Sequence, residues 1–140
     1  NGYQQLIQHL AQTVPSDKIA WISMGSFRHP SDLRYKMIEN HTGTILTAQE
    51  SIVGMDGKSR YPKKLRREMY QHIYGLLRKQ LGDEVFIYFC MESPELWQDV
   101  MNKCPSSNVE LDFWFAESLF TRFPDMQLPQ PERDFYPEDW

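Results

Sequence analysis

The sequence predicts an α/β fold in which two short apolar strands pair in parallel through helical crossovers, with a β-hairpin inserted between them. Residues 18–24 (KIAWISM) and 84–90 (EVFIYFC) are apolar runs of strand length bounded by turn signals. The segments around them carry helical periodicity, and strands separated by helices pair in parallel with right-handed crossovers. Between them, Gly54-Met55-Asp56-Gly57 with extended flanks is a hairpin turn, because glycine tolerates the positive φ such turns require. Two parallel strands make a thin sheet. The pattern therefore reads as the closing section of a larger α/β barrel or sheet.

The elements follow in order. Leu6, Ile7, Leu10, Ala11 and Val14 recur at helical spacing, which predicts a helix over residues 3–14 ended by Pro15. After the first strand, residues 25–30 form a loop, and Ser31 caps a helix with Leu33, Met37 and Ile38 on its inner face. Residues 44–49 and 51–53 are extended and lead into the turn, so the hairpin occupies about residues 44–62. Pro62 opens a long helix with Leu65, Met69, Ile73, Leu76 and Leu77 on its apolar side, and Gly82 ends it. Ser93-Pro94-Glu95 combines a cap, a proline and a first-turn acid at the start of a helix carrying Leu96, Trp97, Val100 and Met101. The aromatic segment 109–123 is helical, and the proline-rich acidic stretch from Pro124 is irregular. The chain thus divides into residues 1–104, holding the strands and the hairpin, and an acidic, aromatic extension over 105–140.

A length of 140 residues with 41% hydrophobic and 24% charged content suits one domain with a packed core. No apolar run reaches the length of a membrane span and no signal peptide is visible, so no membrane partner is expected. The first residue is Asn1 rather than Met, which suggests a piece of a longer protein. Cys90 and Cys104 make neither a disulfide framework nor a metal-ligand spacing, and His9, His29, His41 and His72 are scattered, so no metal site is expected. Reduced thiols suit a cytoplasmic setting.

The net charge of −4 conceals an asymmetry. Residues 54–82 hold eight basic groups against two acidic ones, whereas residues 83–140 hold three against thirteen. Any nucleic-acid footprint is therefore local, with the acidic end turned away from the polyanion. Six of the ten residues after Gly57 are Lys or Arg, with Tyr61 among them. Lys58, Arg60, Tyr61, Lys63, Lys64, Arg66 and Arg67 form the candidate DNA-binding set: cations for phosphates and a ring for stacking. Lys63, Lys64, Arg66 and Arg67 stand in the first turns of a helix, where each cation opposes the macrodipole at a cost of roughly a few tenths of a kcal/mol. Two readings stand for that placement, a solvated helix face and an anion-binding site, and the dipole cost favours the second. An external phosphate turns that cost into a binding site.

Loops after the strands are where α/β folds place ligands. Ser23, Ser26, Arg28 and Glu92 are the candidate cavity-lining residues, with Gly25, Cys90, Met91 and Ser93 beside them. Two readings stand: one shared cavity, or helix caps, a buried thiol and a surface salt bridge. No catalytic residue is assigned. The chain shows no hydrolase triad, no paired carboxylates and no phosphate-cradling glycine loop of known pattern.

Three phrases bear on function together: residues 21–28 (WISMGSFR), 54–61 (GMDGKSRY) and 90–97 (CMESPELW). In this order and spacing they resemble the C-terminal part of spore photoproduct lyase, a radical S-adenosylmethionine enzyme that repairs a thymine photodimer in DNA. The resemblance covers about residues 18–101 and leaves the acidic tail unexplained. It implies the C-terminal section of a partial (β/α)6 barrel of the radical-SAM type, with UV-damaged DNA and a missing N-terminal half of the enzyme as partners. It also implies S-adenosylmethionine and a [4Fe–4S] cluster for the full-length family member, the cluster held by a Cys-x3-Cys-x2-Cys motif upstream. That motif is not in this chain, so neither cofactor is expected on the chain alone, and this segment alone is expected to be inactive. The family's hydrogen-donor cysteine also lies upstream, so Cys90 does not take that role. Arg60 and Tyr61 resemble the arginine–tyrosine pair that reaches the flipped-out lesion, with Lys58 the neighbouring cation. A non-catalytic nucleic-acid-binding or protein-interaction module is the alternative. A barrel fragment exposes apolar surface, so self-association is also expected.

Overall fold

In a computed structural model, residues 2–41 and 50–133 are described. They form a mixed α/β structure with five α-helices and two small sheets, and no sheet among the described residues closes into a barrel. Strand β1 (Trp21–Met24) pairs in parallel with β5 (Phe86–Phe89), Trp21 opposite Phe86 and Met24 opposite Phe89, as the sequence predicts. Helix α1 (Gly2–Thr13) precedes the pair, and α3 (Lys63–Leu81) and α4 (Pro94–Met101) flank β5 in sequence. Between β1 and α3 lie β2 (Arg28–Pro30), α2 (Leu33–Asn40), β3 (Ile52–Val53) and β4 (Lys58–Arg60). Helix α5 (Asn108–Arg122) follows α4.

The parallel pair is a two-faced ribbon. Met24, Ile87 and Phe89 belong to the buried cluster with Ile7 of α1, Tyr70, Leu77 and Leu81 of α3, and Leu96, Trp97 and Met101 of α4. Phe89 lies between two rings: 4.5 Å from Tyr70 and 5.4 Å, edge-on, from Trp97. The alternate residues Trp21, Phe86 and Tyr88 meet Phe115 of α5 at 4.7–5.2 Å. Helices therefore cover both faces, α5 supplying the second. This alternation is the period-2 rule of strands applied to a ribbon covered on both sides. The first strand is nonetheless less buried than expected, because Trp21 retains 42% exposure.

Several expectations need correction. The loop predicted over residues 25–30 contains β2, which pairs antiparallel with β4, so the hairpin is the edge of a three-stranded sheet in the order β2-β4-β3. Ser31 does not cap α2. Its hydroxyl donates to the Gly57 carbonyl at 3.0 Å, tying the turn to the loop ahead of α2, and Asp32 precedes the helix without a side-chain cap bond. Residues 44–49, predicted extended, lie outside the described segments. Pro62 precedes α3 instead of lying in its first turn.

The inner face of α3 is also rotated from the expected one. Its buried residues are Arg66, Tyr70, Leu77 and Leu81, whereas Met69 is exposed. Spacings of four, seven and four keep these on one stripe. An arginine opening that stripe hides it from a purely apolar reading. Elsewhere Ser93 caps α4 by accepting from the Leu96 N–H at 3.4 Å, and the 109–123 segment is helical as predicted. No described helix is long and apolar enough to cross a membrane.

Candidate nucleic-acid interface

The ends of β1 and β5 and the base of the hairpin converge on Glu92. Beyond β5 the chain turns at Met91, held at φ 59°, a conformation uncommon for a side chain of this kind. The next residue, Glu92, has a carboxylate only 5% exposed. Arg66 donates to it from Nε at 3.1 Å and from a terminal nitrogen at 3.3 Å, Tyr70 from its hydroxyl at 2.7 Å, and Ser26 from its hydroxyl at 3.4 Å. The remaining terminal nitrogen of Arg66 donates to the Tyr61 carbonyl at 2.5 Å. One buried ion pair thus joins the loop after β1, the turn after β5, helix α3 and the strand-to-helix junction after β4. Burial pushes the Tyr70 hydroxyl well above the usual phenol range, and the adjacent Glu92 charge adds to the shift.

Outside this junction lies the hairpin. A hydrogen bond from the Gly57 N–H to the Gly54 carbonyl at 3.0 Å closes its turn, with Gly57 at φ 71° as its sequence role requires. Ile52, Val53 and Met55 are exposed, Met55 completely. At the open end of the parallel pair is a cavity of about 220 Å³ lined by Ser26, Arg28, Arg60, Met91 and Glu92, together with Gly25 and Cys90. Three of the four predicted cavity residues, Ser26, Arg28 and Glu92, therefore meet. Ser23 does not join them; it lines a separate apolar groove between α1 and α3. The alternative of a surface salt bridge at Glu92 is corrected to a buried one.

The cationic set divides in a way the sequence did not disclose. Arg66 is 5% exposed and bound to Glu92, which removes it from any surface footprint. Lys63 pairs with Glu95, and Arg67 Nε lies 2.6 Å from Asp99 Oδ2. Three cations of the helix start thus face three acids, Glu92 ahead of α4 and Glu95 and Asp99 within it. The macrodipole argument for an external anion is corrected accordingly: the protein supplies anions of its own. Lys64 is exposed, and neither its ammonium nor that of Lys58 meets a partner among the described residues. Arg60 lies beside the cavity with its side chain 18% exposed, and Tyr61 follows it at the hairpin base, half-buried.

Sequence reasoning missed Tyr70 and Asp56 as parts of this region, whereas Met91 was placed beside the cavity and does line it. Tyr70 stands one turn beyond Arg66, an (i, i+4) signal that places both on one face. Asp56 was legible only as a turn residue. Among the described residues, no three His, Cys, Asp or Glu side chains are placed to hold a metal ion. Comparison with protein-family models, curated proteins and solved structures finds no match to this chain.

Proposed function

We propose that this chain is the C-terminal, DNA-engaging portion of an enzyme like spore photoproduct lyase. Its hairpin would enter the duplex at a thymine photodimer and hold the lesion out of the stack. The observation that supports this best is the hairpin itself, which presents an exposed apolar tip at Met55 and Arg60 and Tyr61 at a base fastened by the Arg66–Glu92 pair. Inserted apolar side chains unstack base steps, and cations beside them hold the backbone. Extruding a base costs roughly a few kcal/mol, less for a damaged one. A tip on a fixed base offsets that cost without an additional ordering penalty.

The radical chemistry belongs elsewhere in this reading. A three-thiolate cluster motif cannot be built from two cysteines, and the described residues offer no substitute ligand group. The residues present do not fit the cluster, and no reaction step is assigned to them. The rest of a (β/α)6 barrel would cover the apolar groove of about 450 Å³ beside β1, lined by Leu6, Ile7, Leu10, Ile22, Ile73 and others. Left uncovered, that groove favours self-association, which concentration-dependent sedimentation would reveal.

The test is the affinity of the chain for photodimer-containing and undamaged duplexes. Arg60→Ala with Tyr61→Ala should weaken binding and abolish any preference for the lesion. Unchanged affinity of the double variant would refute the reading.

A further inference from the structure

The cavity beside the hairpin contains more positive charge than the structure neutralises. Arg28 comes from β2 and Arg60 from β4, opposite each other in the antiparallel register. Both guanidiniums reach the same carboxylate, Asp56 of the turn: Arg60 in a direct hydrogen bond, Arg28 at 3.7 Å. Arg28 otherwise meets the Met91 sulfur at 2.8 Å, a weak acceptor. The Nε of Arg60 is buried without a hydrogen-bond partner. Glu92 also lines the cavity, but its charge is already matched by Arg66. Two cations therefore share one anion.

Asp56 is placed to leave. Its side chain is 41% exposed while those of Arg28 and Arg60 are 21% and 18% exposed, so Asp56 is the outer member of the cluster. Gly54 makes the arrangement possible, since a Cβ there would lie 2.8 Å from Asp56 Oδ1 and 3.2 Å from the Arg60 guanidinium. We propose that Arg28 and Arg60 form a two-guanidinium clamp for a phosphodiester of the DNA backbone, and that Asp56 occupies the clamp as an internal stand-in which the phosphate displaces. The inference rests on the reading of the hairpin as a DNA-engaging element, and it adds Arg28 as a binding residue and Asp56 as a competitor. A phosphodiester presents two oxygens in the geometry that guanidiniums bind in pairs. The exchange leaves one anion between the two cations in both states and opposes binding of anything weaker than a fixed phosphate.

Asp56→Asn is the informative variant, because the amide oxygen can still accept from the Lys58 N–H, as Asp56 Oδ1 does at 3.3 Å. Titrated with a duplex oligonucleotide at fixed salt, the whole chain carrying Asp56→Asn should bind about threefold tighter or more. In a background of Arg28→Gln and Arg60→Gln the same change should bring no gain. A gain that persists in that background would reduce the effect to general charge and overturn the clamp. No gain in the parent, with Arg60→Ala plus Tyr61→Ala still weakening binding, would overturn the stand-in and leave the DNA-engaging reading intact. No DNA binding by either the parent or the Asp56→Asn chain would overturn both. Stoichiometric binding of inorganic phosphate to the Asp56→Asn chain without DNA would make the clamp a free-anion site and refute the phosphodiester assignment.

Discussion

Nε of Arg66 lies 3.1 Å from Oε1 of Glu92, and the two side chains are only 6% and 5% exposed. Their separation in sequence spans nearly all of α3 and the whole of β5, so the pair fastens the start of one helix to the turn before another. Burying two charges is not in itself a source of stability, because desolvation opposes the attraction. Here Tyr70, Ser26 and the Tyr61 carbonyl satisfy the remaining hydrogen-bonding groups, and the arrangement fixes the hairpin base in position.

Breaking that pair on one side should be far worse than replacing it whole. Arg66→Met and Glu92→Met should each lower unfolding stability by roughly 3–5 kcal/mol, while the double variant should lose much less than the sum. Urea unfolding of the three variants provides the check. Additive losses would mean that the two residues are not coupled.

Tyr70 should ionise well above the usual phenol range. Its folded pKa lies above the unfolded value of about 10, so its contribution is complete below that pH and is lost as pH rises beyond it. Alkaline titration followed by phenolate absorbance should show a late step that disappears in Tyr70→Phe. The same variant should cost about 1.5–3 kcal/mol at neutral pH through the lost bond to the Glu92 carboxylate.

Gly57→Ala should destabilise the hairpin through the backbone alone. A Cβ at this position meets nothing within 4 Å, yet φ is 71°. The expected loss is about 1 kcal/mol, with hydrogen exchange accelerated at the Gly54 and Gly57 amides. A neutral substitution would show that the turn adopts another conformation.

What the sequence made legible was local or periodic. The KIAWISM and EVFIYFC runs announced the parallel pair, Asp56-Gly57 announced the turn, and Ser93-Pro94-Glu95 announced α4. What it concealed was pairing between distant segments. Arg66 looked like one more surface cation because its partner, Glu92, is fixed only when β5 delivers the Met91 turn to the face of α3. The partners of Lys63 and Arg67 were hidden for the same reason, their acids lying on α4. β2 escaped notice because three residues ending in Pro30 carry no alternation, and only the register with β4 makes them a strand.

The central claim is that the hairpin cations, and not those facing α4, engage DNA. The most direct measurement is the salt dependence of DNA affinity for the parent chain, Arg60→Ala and Arg67→Ala. Each phosphate contact contributes about 0.9 to the slope of log K against log salt, so Arg60→Ala should flatten the slope by about that amount. Arg67→Ala, whose partner is Asp99, should leave it unchanged. An equal flattening in both variants, or a parent affinity independent of salt, would contradict the account.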